Sequence, residues 1–291
     1  MTEAKTPRRW GAEQRLEFIE FKLFWEGGVN RSDLISFFGV SVPQASNDLS
    51  VYRDMAGDNL SYDASQKRYI ATQAFAPKVH RPNADRYLAQ LKGLSDGIID
   101  RGDTWIRHVP EASALPLPAR RIDPFALRRL LAAMRAGRSI EIFYHSMNPE
   151  DPEPVWRRIT PHAFGHDGLR WHVRALCHRV GGYKDFILSR CRDLRGEGAG
   201  LGATHEDTMW HEVFDVELIP NPALTQSQQT TIALDYDMTD GKVCVPVRRA
   251  LLYYFEKRLR LDVASGQDSL RERPVVVANW TDFKDALPKA W

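Results

Sequence analysis

The sequence predicts a multidomain α+β protein, and three observations lead to this fold class. Helical periodicity fills most of residues 1–80, short alternating strands fill the middle of the chain, and strands mix with helices toward the end. A length of 291 residues allows two or three domains, each with its own core. We expect four segments, at residues 1–80, 81–122, 123–200 and 201–291.

The formal net charge of +2 hides an uneven distribution of basic residues. Residues 120–195 are rich in basic side chains, nearly all of them arginine, whereas residues 205–291 carry a mild acidic excess. The three cysteines, Cys177, Cys191 and Cys244, have no CxxC spacing, which a reduced compartment permits. We see no signal peptide and no apolar run of membrane-spanning length, so the sequence predicts a cytoplasmic protein without a membrane partner.

The N-terminal segment begins with two helices that have clear end signals. Residues 13–26 place apolar side chains on one stripe, and a glycine pair ends that helix. Residues 30–39 form a second helix, with Asn30 as its N-cap, Asp33 in its first turn and Gly39 at its end.

A third helix is predicted over residues 42–53, with Pro43 in its first turn and Ala45, Leu49 and Tyr52 facing inward. A short helix, a glycine turn and a helix with a polar outer face together indicate a helix-turn-helix. Its outward residues have the amide, hydroxyl and guanidinium groups that read bases or hold phosphates. They are Gln44, Ser46, Asn47, Ser50 and Arg53.

Two short strands, at residues 59–63 and 67–71, follow the third helix and are typical of a wing. Lys67 and Arg68, close to the turn between them, are expected to contact phosphates or the minor groove of DNA. The alternative is a helical module with a polar outer helix that contacts protein. The lack of net positive charge in residues 1–80 favours that alternative, although the placement of charge matters more than its sum.

The connector contains one helix, predicted at residues 84–92, and a proline-rich stretch at 109–118 that we interpret as a linker. A further helix begins at Asp123 and Pro124 and leads into the arginine-rich segment 139–195. Alternation along this segment predicts strands. In the strand at 170–175, Arg170, His172 and Arg174 should share a cationic face opposite Trp171, Val173 and Ala175.

Four motifs follow in order along this module: YHS at 144–146, RITPH at 158–162, WHV at 171–173 and FILSR at 186–190. Their order resembles that of the WYL domain. With the leading winged helix-turn-helix, and with NPAL at 221–224 and VRRAL at 247–251, nearly the whole chain resembles dimeric WYL repressors of bacterial anti-phage islands such as BREX and CBASS.

The resemblance implies an Sm-like or SH3-like β-barrel that senses a nucleotide or nucleic-acid effector, and a homodimer that binds a palindromic operator in double-stranded DNA. The WYL signature departs from its family form at one position, where His172 replaces tyrosine and retains a flat, hydrogen-bonding ring.

Guanidinium groups bind phosphate oxygens in pairs, and hydroxyl and ring groups can hydrogen-bond or stack on a base. We therefore predict that the module binds its effector through Tyr144, Ser146, Arg158, His172, Arg174 and Arg190. Salt bridges to Glu141, Asp185 and Asp193 are the alternative role for its arginines. We expect Arg157, Arg179, Arg192 and Arg195 to be ordinary solvated charges, and Trp171 and Phe186 to belong to the core.

No catalytic or cofactor motif emerges, so the sequence predicts a protein that is not an enzyme and binds no cofactor. His162, His166, Cys177, His178 and Cys191 invite a zinc site, but their spacing matches no known zinc motif. Glycines at 196–202 lack the lysine of a phosphate loop, and we interpret this stretch as a flexible linker.

The last segment is predicted to be a small α+β domain used for dimerisation. We expect strands at 214–218, 231–236, 243–247 and 274–278, a short helix capped by Thr225, and a longer helix at 248–261. The aromatic run at 253–255 is open to three interpretations: burial under its own sheet, a dimer interface, or a lid over a neighbouring module.

The leading hypothesis is a homodimeric transcriptional repressor with an effector-sensing module. The alternative is a nucleic-acid-binding accessory subunit that uses the WYL face on single-stranded DNA or RNA.

Overall fold

The computed structural model of the chain describes residues 7–118, 120–147, 153–202, 204–261 and 272–288, with the side chains of residues 7–10 excepted. It divides into two compact units, Met1–Leu117 and Pro118–Trp291. This division falls near the predicted end of the connector, and the finer domain boundaries stay predictions. No helix in the described part of the chain is both long enough and apolar enough to cross a membrane.

The first unit is a helical module with a small antiparallel sheet. Its helices are α1 (Pro7–Glu26), α2 (Arg31–Phe38), α3 (Val42–Met55) and α4 (Ala84–Ser95). Its strands are β1 (Gly28–Val29), β2 (Leu60–Asp63) and β3 (Arg68–Ala71), in the order β1-β3-β2. The hairpin β2-β3 follows α3 directly, so the predicted wing is confirmed.

End signals in the sequence explain where the two short helices begin and end. Asn30 caps α2 and forms a capping box with Asp33, while Gly39 ends the helix with a left-handed φ of 64°. Ser41 caps α3, and Pro43 lies in its first turn. The predicted inward residues of α3 are buried in a core shared with α1: Ala45, Leu49 and Tyr52.

Two acidic side chains on α1 hold the connector against the winged helix. The Glu20 carboxylate, fully buried, accepts hydrogen bonds from the Tyr52 hydroxyl at 2.8 Å and from the backbone amides of residues 78–80. The Glu26 carboxylate accepts from the Arg107 amide at 2.8 Å and pairs with Lys22. A buried carboxylate needs such donors, and here the connector backbone supplies them.

The second unit opens with α5 (Pro124–Arg135), which packs on a five-stranded antiparallel sheet. Its strands are β4 (Arg138–Tyr144), β5 (Val155–His166), β6 (Trp171–Cys177), β7 (Gly182–Ile187) and β8 (Cys191–Ala199). They pair in the order β7-β6-β5-β4-β8. Within the described residues β7 and β8 are the edges of an open sheet, so the expectation of a closed barrel is corrected.

The rest of the second unit is a smaller α+β module. Its elements are α6 (Thr208–His211), β9 (Val213–Pro220), α7 (Gln226–Asp235), β10 (Val243–Arg248), α8 (Leu252–Arg258), β11 (Val275–Val277) and α9 (Trp280–Ala286). The strands pair in the order β10-β9-β11, and their apolar side chains form a core with α8 and α9.

The glycine-rich stretch 196–202 does not form the predicted flexible linker, because most of it belongs to β8. Gly198 pairs with Ser139 of β4. A Cβ at Gly200 would lie 2.2 Å from the Gly137 carbonyl oxygen. These glycines allow two backbones to approach closely. A glycine-rich composition alone cannot distinguish this packing role from that of a flexible linker.

Two further predictions in the smaller module are wrong. Residues 231–236 were expected as a strand, but all except the last belong to α7, which Thr225 starts through a capping box with Gln228. The hydroxyls of Thr230 and Thr231 donate to backbone carbonyls four residues earlier, which accommodates β-branched residues in the helix. The helix expected at 248–261 is shorter, since β10 continues to Arg248 and a 3₁₀ turn precedes α8.

Candidate nucleic-acid interface and ligand module

The outer face of α3 presents the polar side chains that the sequence singled out. Asn47 and Arg53 are exposed, while Gln44, Ser46 and Ser50 are half-buried. The Arg53 guanidinium donates to the Ser50 hydroxyl at 3.2 Å. Because these side chains lie one turn apart along an exposed stripe, the helix offers a continuous polar edge of the kind that enters a major groove.

A buried carboxylate beneath this edge fixes the orientation of α3. Asp48 accepts two hydrogen bonds from the Arg15 guanidinium of α1, at 2.6 and 3.2 Å, and a third from the Gln44 side-chain amide at 2.9 Å. The bidentate pair resists rotation of α3 against α1. Gln44 is therefore held in place, and its side chain keeps one N–H and its carbonyl oxygen for other partners.

The two basic residues of the wing differ in what they can reach. Lys67 is exposed at the turn, with a left-handed φ of 52°. Arg68 turns back toward α1, where its guanidinium contacts the Glu26 carbonyl oxygen at 3.4 Å and lies over Gly28. Lys67 is available to a phosphate in this conformation, whereas Arg68 is occupied.

The predicted cationic face of β6 is not exposed to solvent. Arg174 is buried, and its guanidinium donates two hydrogen bonds to the Asp207 carboxylate, at 2.7 and 2.9 Å. It also contacts Asp185 of β7 at 3.3 Å. Alternation correctly placed Arg174 and His172 on one face, but the segment around α6 covers that face.

His172 is likewise buried, and its Nε2 atom lies 2.9 Å from the Asp167 carboxylate. Arg170 pairs with the same carboxylate at 2.7 Å. The Tyr254 ring of α8 packs 4.8 Å from the His172 ring, and its hydroxyl donates to Asp185 at 3.3 Å. Three interpretations were open for the aromatic residues at 253–255. Tyr254 fits the third of them, because it covers part of the neighbouring module.

The carboxylates of this network differ in electrostatic state. Burial alone would raise the pKa of Asp207. Hydrogen bonds from Arg174 and His162 outweigh burial, so the net effect is a pKa below the ordinary range. Burial is opposed in the same way at Asp167, whose pKa is lowered by His172 and Arg170. For Asp185, burial dominates over the attraction of Arg174, and the pKa is raised. Asp207 is therefore the main counter-charge of Arg174.

Tyr144 and Arg190 come together at the end of the sheet. The Tyr144 hydroxyl accepts from the Ile187 amide at 3.3 Å and from the Arg190 side chain. Its ring packs edge-on against Phe186 at 5.1 Å, and burial raises the pKa of its hydroxyl. Ser146 follows β4 and is half-buried.

Arg158 lies elsewhere on the sheet, on β5, and its side chain reaches across β4 to β8. Its guanidinium contacts Glu141 at 3.5 Å and donates to the Gly196 carbonyl at 3.0 Å. Arg195 pairs with the same glutamate and stacks 3.8 Å from the Trp156 ring. The salt-bridge alternative thus describes the present contacts of Arg158, and its predicted ligand role stays a prediction.

Two expectations about burial in this module are wrong, and one is confirmed. Arg157 is buried rather than solvated, with its guanidinium 5.8 Å from the Tyr144 ring. Trp171 is half exposed because it begins β6, where its ring contacts His166 at 4.7 Å. Phe186 is buried in the core as expected.

Three family models match this chain, and together they cover most of its length. Residues 11–93 match the BrxR transcriptional regulator winged helix-turn-helix domain, residues 126–195 the WYL domain, and residues 213–283 the BrxR transcriptional regulator C-terminal dimerization domain. Relatives named DNA-binding transcriptional repressor CapW align with most of this chain. The Stenotrophomonas maltophilia protein is 38% identical over 95% of this chain and 92% of its own length.

The chain belongs to the BrxR and CapW family of WYL-domain regulators. The Escherichia coli CapW repressor is 39% identical over 87% of this chain and 84% of its own length. The Pseudomonas aeruginosa one is 38% identical over 96% and 93%, respectively. The order predicted from sequence, a winged helix-turn-helix, a WYL domain and a C-terminal dimerisation domain, is confirmed.

In this BrxR and CapW family member, the histidines considered for zinc have other partners. His162 Nε2 lies 2.9 Å from Asp207, and His178 Nε2 lies 2.8 Å from the Thr160 hydroxyl. Burial raises the pKa of the Cys191 thiol to about 12, so this thiol is protonated at neutral pH. Cys177 packs in the core of the WYL domain.

Sequence reasoning weighed Asp185 as a salt-bridge partner but missed Asp167 and Asp207 in this regulator. Asp167 pairs with Arg170 and contacts His172, and Asp207 pairs with Arg174. One signal was present for Asp207, which precedes a short helix and caps it by accepting from the Trp210 amide. Nothing in the spacing connects that cap with Arg174, thirty-three residues earlier.

Proposed function

We propose that this protein is a homodimeric DNA-binding transcriptional repressor that binds a palindromic operator and controls an anti-phage defence operon. The observation that carries the proposal is the capped helix-turn-helix with its exposed polar edge on α3. It is supported by full-length relatives whose names describe DNA-binding transcriptional repressors. A C-terminal domain of the dimerisation type supports paired winged helices, which match a two-fold operator.

The test is a gel shift with a duplex from the region upstream of the protein's own gene. We expect specific binding at low salt that weakens steeply as salt rises, because phosphate contacts release counterions. Light scattering of the complex should give two protomers per duplex. If no upstream fragment shifts even at low salt, the repressor function is excluded.

We further propose that the WYL domain senses a nucleotide or a short single strand that carries phosphate. The effector would be bound first by Arg190, with Tyr144 beside it and Ser146 two residues farther along the chain, and by Arg158 through a change of partner from Glu141. His172 and Arg174 would act through the contacts that join the sheet to α6 and α8. By linkage, if the effector lowers the affinity for the operator, the operator lowers the affinity for the effector by the same factor.

Arg190→Ala should retain operator affinity and lose the response to effector. The probe is a single-stranded oligodeoxynucleotide of about ten nucleotides, added to a labelled operator duplex and followed by anisotropy. We expect the wild type to respond and the variant to need at least about tenfold more oligonucleotide, as for the loss of a charged hydrogen bond.

Arg192→Ala is the matched control, since Arg192 is exposed two residues away on β8. It should respond as the wild type does. An equal response from Arg190→Ala would contradict the ligand role of Arg190 without affecting the repressor assignment.

A further inference from the structure

The first unit contains a cavity of about 620 Å³ that no predicted site uses. It lies between α1, the chain at 79–83, α4 and the chain at 103–105. Small-molecule sites have volumes of roughly 300–1,000 Å³ and combine aromatic walls with a few polar groups. This volume and its lining therefore invite the question of what the cavity binds.

Four aromatic side chains form one side of the cavity. The Trp25 and Tyr87 rings stack at 4.5 Å with an interplanar angle of 26°. Phe21 lies nearly parallel to Tyr87 at 6.4 Å, and Trp105 meets Phe21 edge-on at 5.5 Å. Such a wall suits a flat ring, because a planar ligand gains dispersion contact and adds to the existing stack.

Charged groups of both signs also line the cavity: Arg81, Arg86, Glu17 and Asp103. Arg81 and Arg86 are exposed, and among the described residues their guanidinium groups make no ion pair or hydrogen bond. Both lie near the start of α4, which is a twelve-residue helix capped by Asn83. The backbone amides at the N-terminus of a helix also favour an anion. On the α1 side, the half-buried Glu17 carboxylate can accept from amino or ring N–H donors.

We propose that this cavity binds a nucleoside monophosphate, with the base against the aromatic wall and the phosphate toward Arg81 and Arg86. The base edge of such a ligand carries N–H donors for the Glu17 carboxylate. Its single phosphate matches the guanidinium groups of Arg81 and Arg86, which have no partner within the described residues. The site belongs to the winged-helix unit and is independent of the effector role proposed for the WYL domain.

The cavity is connected to the helix that carries the polar edge. Val79 and His80 line it, and their backbone amides donate to the Glu20 carboxylate. The same carboxylate accepts from the Tyr52 hydroxyl of α3. A ligand that orders the chain at 79–83 therefore stabilises the bonds that position α3.

The test is calorimetric titration of the full-length protein with adenosine and guanosine 5′-monophosphate. At least one should bind, and the corresponding nucleoside should bind more weakly because it lacks the anion. Changing Arg81 and Arg86 together to alanine should weaken the nucleotide by at least about tenfold. Ala89→Trp, which places an indole in the cavity, should abolish binding.

Matched controls separate a site from a general effect on folding. Leu88→Trp adds the same indole to the neighbouring position of α4, where Leu88 is exposed and does not line the cavity. Arg101→Ala removes an exposed connector arginine outside the cavity. Both should bind as the wild type does. Absence of binding at millimolar nucleotide, or binding that survives Ala89→Trp or is lost only in Arg190→Ala, would overturn the proposal.

Discussion

Changing Gln44, Ser46 and Asn47 together to alanine is expected to weaken specific operator binding by about two orders of magnitude or more. A well-formed amide contact to a base contributes roughly 1–3 kcal/mol of discrimination, and this variant removes two amides and a hydroxyl. The fold should persist, because Arg15 continues to hold Asp48 when Gln44 is lost. Anisotropy with operator and scrambled duplexes measures both specific and non-specific affinity.

The control for this variant is a double change of two exposed glutamines away from α3, Gln14→Ala with Gln73→Ala. It should leave specific binding unaltered. If the triple variant keeps its preference for the operator over the scrambled duplex, α3 does not read the sequence. The accessory-subunit hypothesis, with single strands on the WYL face, would then be the better one.

Asp207→Asn is expected to lower the free energy of unfolding of the second unit by about 3 kcal/mol, as when a buried ion pair loses one partner. The asparagine keeps the size of the side chain but leaves the buried Arg174 with Asp185 as its remaining counter-charge among the described residues. Denaturant unfolding of the full chain, followed by tryptophan fluorescence, measures the loss.

Asp215→Asn is the matched control, since Asp215 is exposed on β9, and it should unfold as the wild type does. The difference between wild type and Asp207→Asn should also depend on pH. Because the pKa of Asp207 is lowered on folding, its contribution is complete above the ordinary carboxyl pKa of about 4 and is lost as pH falls further. A difference that stayed constant into strong acid would contradict the ion-pair account.

The elements that could be predicted from sequence are those with local causes. Asn30 and Gly39 define α2 because capping depends on a few adjacent residues. The inward set of α3 follows from helical spacing alone. Alternation in β6 likewise places His172 and Arg174 on a common face.

The rest depended on contacts between distant residues. Alternation says which side chains share a face but not what covers it, so the burial of Arg174 under Asp207 could not be foreseen. The glycines of β8 are explained only by the backbone of Gly137 opposite them. Glu20 occupies an ordinary position in an amphipathic helix, and its role follows from amides fifty-eight to sixty residues later.

The two glutamates of α1 also determine where the chain can bend. Glu20 fixes residues 78–80 and Glu26 fixes Arg107 and His108, so the polypeptide between them is attached to α1 at both ends. This stretch cannot rotate against α1 unless its hydrogen bonds to the Glu20 and Glu26 carboxylates break. Ala112 is held as well, because its carbonyl accepts a hydrogen bond from the Ser95 hydroxyl of α4 at 3.2 Å. Rotation is therefore least costly after Ala112, in residues 113–117, where we expect a protease to cut without unfolding the DNA-binding half.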